Sequence, residues 1–421
     1  MTKHHIASAL RHKSFFFLWL AEIFSQVAMN MLNFILIIVA YQLTNSNSAV
    51  SGIVLAFTIP AVIFGLLAGV YVDRWDKKKV LFATNFFRAC LLVVLAIFHK
   101  NIPVLYTLTF AVSTITQFFI PAETPIIPLV VKKELLYSAN ALFGIALYGA
   151  VLIAYGLSGP FLLFFQPITA FLFLAVIFGF AAICIFFVKE PRLQALKKTS
   201  KKSVSMKKEI KETFSHILKT KEVYSSFILL IVIQILILIV SVLGPGYAKN
   251  ILNIQIAEFP LLFVTPAAIG MVLGAVVLTN YFHNYPKYKS ARLGLFLSAF
   301  AVMLLPYGSR VTARPIVHTI NTYLPKILDI NILHIMVFLA FLMGIAIALI
   351  FVPSNTIIQE KTTDELRGKI YGTLNAVVSL CSILPVVLVG SFADVFGVGA
   401  VLTFVGIVIA AIGVVHIFVH L

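Results

Sequence analysis

Apolar residues fill this chain in long runs, interrupted by short clusters of lysine, arginine and proline. Runs of about 20 apolar residues suit an α-helix crossing a hydrocarbon core of about 30 Å, whereas a membrane β-strand needs only about 10 alternating residues. The pattern predicts twelve helical spans: Phe15 to Tyr41, Ala49 to Val72, Val80 to His99, Val104 to Val130, Leu136 to Phe164, Ile168 to Val188, Tyr224 to Ala248, Phe259 to Phe282, Leu293 to Gly308, Ile332 to Gln359, Ile370 to Ser391 and Val398 to His420. Asp394 is placed at the outer end of the eleventh.

The pattern changes between Lys189 and Glu222, which is polar and basic. Its latter half sets Met206, Ile210, Phe214, Ile217 and Leu218 at helical spacing with lysines opposite, which predicts an amphipathic helix on the inner membrane surface, joining two six-helix halves. The expected division is a first half over 1–190, a linker over 191–223 and a second half over 224–421. Repetition supports it: with small gaps, the stretch from Ile120 aligns with that from Val352, Pro121 on Pro353, Thr124 on Thr356, Glu134-Leu135 on Glu365-Leu366 and Asn140-Ala141 on Asn375-Ala376. Repeated halves are how many secondary transporters build a central site open alternately to each side.

Composition agrees with an all-α polytopic membrane protein. Of 421 residues, 61% are hydrophobic and 11% charged, against about 25% charged in a soluble domain. Positively charged loops resist translocation. With a cytoplasmic amino terminus the outer loops hold only Lys100, Lys249, Arg310, Arg314 and Lys326. Arg88 lies within the third span, and every other lysine and arginine of the 32 falls inside. Both termini are therefore expected in the cytoplasm. The net charge of +17 reads as this topology and as attraction to anionic lipid headgroups, with no nucleic-acid partner. The first apolar run exceeds a signal-peptide core and is expected to remain as a helix. Cys90, Cys184 and Cys381 fall inside spans as packing residues. Histidines lack zinc spacing, and no glycine-lysine phosphate loop is present, so neither a metal, a cofactor nor an enzymatic activity is expected.

Polar residues inside spans are the candidate chemistry, since a lipid-facing position is costly for them. Glu22, Gln26, Asn30 and Asn33 recur on one face of the first span. Ser113, Gln117 and Thr124 lie near one face of the fourth, with Glu123 beside it. Glu22 and Glu123 are candidates for proton coupling or substrate binding, together with Arg88; static pairing of either acid with Arg88 is the structural alternative. In the second half the candidate cavity residues are Gln234, Asn355, Gln359, Asn375 and Ser379, with Ser241 and Ser382 alongside; each also serves as helix-to-helix glue. Phe118, Phe119, Tyr148 and Tyr155 suit an apolar cavity for lipophilic or cationic cargo. The outer loop from Ser309 to Asn331 suggests no specific role.

The turn between the second and third spans, "LAGVYVDRWDKKKVL", carries Gly69, Asp73, Arg74, Asp76 and Lys77, followed by Lys78 and Lys79. Anchoring to headgroups explains the lysines but not a glycine followed four residues later by an acid and a base. With "FLWLAEIFSQ", "FFIPAETPIIPLV", "SANAL" and "VPSNTIIQEKTTDELRGKIYGTLNA", this stretch resembles the major facilitator superfamily, and within it the drug:proton antiporter subgroup of macrolide-efflux-like and enterobactin-exporter-like proteins. The resemblance runs in order along nearly the whole chain. It implies a twelve-helix exporter of amphipathic small molecules in a prokaryotic plasma membrane, acting as a monomer, with the turn as a conformational latch. Gly156, Gly159 and Pro160 are similar to that subgroup's fifth-helix packing motif, without the glycine pair that often follows. Where members often carry an acid in the first helix this chain has Met29. A lipid facilitator or flippase without proton coupling is the alternative that the apolar spans and sparse acids leave open.

Overall fold

The computed structural model describes residues 10–131, 135–189, 206–282, 285–308 and 331–419. Among them there is no strand. The α-helices in chain order are α1 (Lys13–Thr44), α2 (Asn47–Arg74), α3 (Lys77–Phe98), α4 (Ile102–Glu123), α5 (Ile127–Val130), α6 (Leu136–Phe164), α7 (Pro167–Phe186), α8 (Met206–Lys219), α9 (Lys221–Tyr247), α10 (Thr265–Tyr281), α11 (Lys287–Leu304), α12 (Ile332–Lys361), α13 (Asp364–Phe396) and α14 (Val398–Val419). Among the described residues eleven helices are long and apolar enough to cross a membrane, or twelve when α6, bent by 43° between Val151 and Gly156, counts as one span.

Local chemistry sets the borders. Asp76, extended at φ −67° and ψ 112°, starts α3 by accepting from the Lys79 backbone N–H at 3.1 Å, and Asn331 starts α12 by accepting from the His334 N–H at 2.9 Å; such caps satisfy amide groups that lack an intrahelical partner. The Lys77 Nζ donates to the carbonyls of Val72 (3.2 Å) and Trp75 (3.4 Å), and Lys78 Nζ to that of Phe186 (2.9 Å). These lysines therefore close the carbonyl ends of α2 and α7, where the helix dipole favours a cation.

Some borders differ from expectation. The fourth span does not continue to Val130: α4 ends at Glu123, a 3-10 turn covers Thr124–Ile126, and α5 follows. Pro125 and Pro128 lack the amide hydrogen that a continuing helix would need there. The eleventh and ninth spans start earlier than expected, at Asp364 and Lys287, because their first turns are amphipathic rather than apolar. Pro160 lies inside α6, where it cannot donate to the Gly156 carbonyl, so the bend falls next to the motif residues Gly156, Gly159 and Pro160.

The chain forms two compact units, one of Met1–Leu43 with Leu55–Ser205 and one of Thr44–Val54 with Met206–Leu421. In the first, α3 packs on α4 and α7, and a core of Phe15, Leu18, Leu81, Phe119, Ile126 and Ile185 joins α1, α3, α4 and α7. In the second, α12 packs against α9, α10 and α11, and α14 against α11. The α10–α12 crossing is backbone on backbone: a Cβ at Gly344 would collide with the Ala267 carbonyl, and one at Gly270 with that of Phe341. Such close approach between membrane helices rests on van der Waals contact that only small residues permit. Helix α8 forms where the amphipathic pattern places it. Its Ile217 is buried with Val223, Phe227, Ile358 and Ile370, while Phe214 and Leu218 remain 39% and 64% exposed.

Candidate functional site

The first unit buries three ionisable side chains together. Glu22 on α1, Arg88 on α3 and Glu123 at the end of α4 are 2%, 1% and 9% exposed. The Glu123 carboxyl lies against that of Glu22, and the Arg88 charge acts on both. The site is therefore a buried acid pair next to a buried cation.

Arg88 is not locked in a static ion pair. Its Nη1 donates to Ser25 Oγ at 3.1 Å and, more loosely, to Asn85 Oδ1 at 3.5 Å, and Ser25 Oγ donates to Asn85 Oδ1 at 3.0 Å. Its Nε and Nη2, like Glu22 Oε2, are buried with no hydrogen-bond partner. The guanidinium also faces the rings of Phe119, at 4.7 Å, and Phe178, at 5.5 Å. These aromatic faces offset part of the cost of burying the charge. Unused donors on a buried guanidinium beside a carboxyl pair leave it free to make a further bond without unfolding its shell.

The other candidates of the first half are distributed around this cluster. Gln26, Asn30 and Asn33 are half-buried on α1; Asn30 Nδ2 is spent on the Gln26 carbonyl at 2.8 Å, and Asn33 Oδ1 is buried without a partner. On α4, Ser113 is buried, and its carbonyl accepts from Gln117 Nε2 at 3.3 Å. Phe118 stacks with Trp75 at 6.0 Å. The side chains of Gly69, Asp73, Arg74, Thr124, Tyr148 and Tyr155 lie outside the described residues, although Asp73 and Arg74 fall in the last turn of α2. Asp76 and Lys77 are helix caps.

The second-half candidates do not form one buried cluster. Asn355 accepts from the Tyr371 hydroxyl at 2.7 Å and donates to the Phe351 carbonyl at 2.8 Å. Gln234 is half-buried and Ser379 buried, whereas Gln359 and Asn375 are exposed. Ser241 and Ser382 donate to carbonyls of their own helices.

Sequence reasoning missed Ser25, Asn85 and Phe178. The signal was present for the first two, since Ser25 follows Glu22 by three residues and Asn85 precedes Arg88 by three, each on the same helix face. No local pattern marks Phe178 among so many phenylalanines.

A bundle of membrane-length helices with a buried acid pair and a buried arginine defines a polytopic α-helical membrane protein with ionisable chemistry in its interior. The profile of the Major Facilitator Superfamily matches residues 18–320, and the chain belongs to that superfamily, a family of transporters. It is 23% identical over 406 residues to macrolide efflux protein A of Streptococcus pyogenes, covering 95% of this chain and 94% of that one. It is 21% identical over 394 residues to the MFS-type transporter YfiS of Bacillus subtilis (strain 168), covering 90% and 87%. The crystal structure of the nucleoside transporter NupG shares the fold, with a TM-score of 0.73 at 11% identity over 97% of this chain and 99% of that one.

Proposed function

We propose that this transporter is a secondary active exporter of amphipathic small molecules, working by proton antiport with alternating access. The observation that carries the reading is the carboxyl pair of Glu22 and Glu123 beside an Arg88 with unused donors. A proton held between the two carboxyls is the exchangeable ion, and Arg88 supplies the countercharge when it leaves. The half-buried amides of α1 favour an amphipathic cargo, and the similarity to a macrolide efflux protein supports export. On this reading the two six-helix halves, 1–190 and 224–421, alternate about the linker. The protein is a monomer in a prokaryotic plasma membrane, with both termini cytoplasmic and its basic loops on anionic headgroups. It transports rather than catalyses, and it uses no cofactor.

A second reading, a lipid facilitator without proton coupling, draws on an apolar crevice of about 590 Å³ along α9, α13 and α14, lined by residues such as Ile235, Leu388, Phe404 and Val408. Transport by purified protein in proteoliposomes separates the two. Lipophilic dyes, macrolides and a fluorescent lysolipid are offered with and without an imposed pH gradient. Antiport gives gradient-driven movement of dye or drug that falls at least about tenfold in Glu123→Gln and Glu22→Gln, the loss expected of a proton carrier. Lysolipid movement indifferent to the gradient and to both variants supports the facilitator instead.

A further inference from the structure

The last turn of α13 carries a carboxylate that holds the start of another helix. Asp394 accepts from Ser46 Oγ (2.6 Å), the Asn47 N–H (2.7 Å), Asn47 Nδ2 (3.0 Å), the Ser48 N–H (3.0 Å) and Ser48 Oγ (2.7 Å). Amide hydrogens at a helix start lack intrahelical partners and favour an anion. One carboxylate thus caps α2 from 346 residues away.

The contact continues below the cap. Ser51 Oγ donates to the Val386 carbonyl at 2.8 Å, and a Cβ at Gly390 would collide with Ser51 Oγ and the Asn47 backbone. A Cβ at Gly246 would meet the Asn47 amide, and Lys249 Nζ donates to Asn45 Oδ1. The segment Thr44–Val54 therefore packs with α9 and α13, while α2 from Leu55 onward belongs to the other compact unit.

The sequence logic of this joint is a glycine followed four residues later by an acid: Gly390 admits the foreign backbone, and Asp394, one turn on, caps it. Gly69 and Asp73 have the same spacing. The polar end is also built to let go. Three of the five bonds, from Ser46 Oγ, the Ser48 N–H and Ser48 Oγ, lie at exposed positions, so each of these groups finds water when the contact opens; the two from Asn47 are part-buried.

We propose that Asp394 is a releasable clamp on the start of α2. Engaged, it holds Thr44–Val54 against α9 and α13; released, it frees α2 to move as a whole. The inference rests on the alternating-access reading above, and its first test needs no transported compound.

Cys90, Cys184 and Cys381 are replaced by serine, Ser51→Cys is introduced, and its labelling by a membrane-impermeant maleimide is timed with and without Asp394→Ala. Ser51 is 3% exposed, so labelling reports release. The expected result is a rise of at least about tenfold in labelling rate with Asp394→Ala, which removes all five bonds when the loss of one bond to a charged group already accounts for that shift; an unchanged rate overturns the clamp. Should Asp394→Ala not fold, Asp394→Asn, which keeps the side-chain shape and one acceptor oxygen but loses the charge, is timed in the same labelling assay; a faster rate than with Asp394 is expected, and an unchanged rate overturns the proposal. A labelling rise in a protein that moves no cargo leaves the clamp standing and removes the transport reading.

Discussion

Arg88 donates to Ser25 Oγ at 3.1 Å, its shortest side-chain hydrogen bond, although two carboxyl groups act on the same guanidinium. A serine on α1 thereby helps fix the position of a cation on α3, and neither acid forms an ion pair with it within 4 Å. The Ser25 hydroxyl in turn donates to Asn85 Oδ1, so three polar residues on two helices form one chain of bonds inside the bundle.

Ser25→Ala therefore leaves Arg88 only the looser contact to Asn85 at 3.5 Å. A buried hydrogen bond to a charged group contributes about 1.5–3 kcal/mol, so the variant is expected to unfold at lower temperature in nanodiscs. Ser25→Thr, which retains the hydroxyl, is expected to recover most of the loss. Equal midpoints for wild type and Ser25→Ala would show that Arg88 is held by its aromatic neighbours alone.

The α10–α12 crossing makes a sharper prediction about packing. A side chain at Gly344 meets the backbone of Ala267 and Met271 rather than a flexible side-chain end, and backbone cannot move aside locally. Gly344→Val is expected to destabilise by at least about 1–3 kcal/mol, as overpacking does, and to reduce monodisperse yield after extraction. Gly372→Ala is the control, because a Cβ there has nothing within 4 Å; it should purify as wild type does. Equal behaviour of the two variants would mean that the helices are not in backbone contact.

Much of this architecture was legible because a membrane leaves few solutions: every backbone amide must be satisfied within its own helix, so each span announces itself as a long apolar run. Leu136 to Phe164 matched at both ends, and Glu22, Arg88 and Glu123 stood out because charge inside a span is costly. The break at Glu123 was signalled by Pro125 and Pro128 but was overridden by the apolar run around them. The partners of Arg88 were not legible, since serine and asparagine within spans are common and their neighbours come from other helices. Asp394 shows the same limit more strongly. Its position at a helix end was readable, but the segment it caps is fixed by tertiary packing, and no local pattern connects residues so far apart.

The turn between α2 and α3 offers the last prediction, because its two acids have separable roles. Asp76 accepts from the Lys79 N–H and starts α3, and asparagine is about as good an N-cap as aspartate, whereas alanine costs about 1 kcal/mol. Asp76→Asn is accordingly expected to leave both amide exchange over residues 77–81 and transport unchanged, while Asp76→Ala speeds that exchange about fivefold. Asp73 sits in the last turn of α2, where an acid opposes the helix dipole and so costs its own helix stability. An acid kept at an unfavourable helix end is expected to act on another part of the chain, as Asp394 does. Asp73→Asn should therefore insert normally and leave the exchange of α2 no faster, yet cut gradient-driven transport at least about tenfold, the effect of losing one charge-assisted bond in the cycle. Normal transport by Asp73→Asn would remove the latch role from this turn and leave only its helix caps.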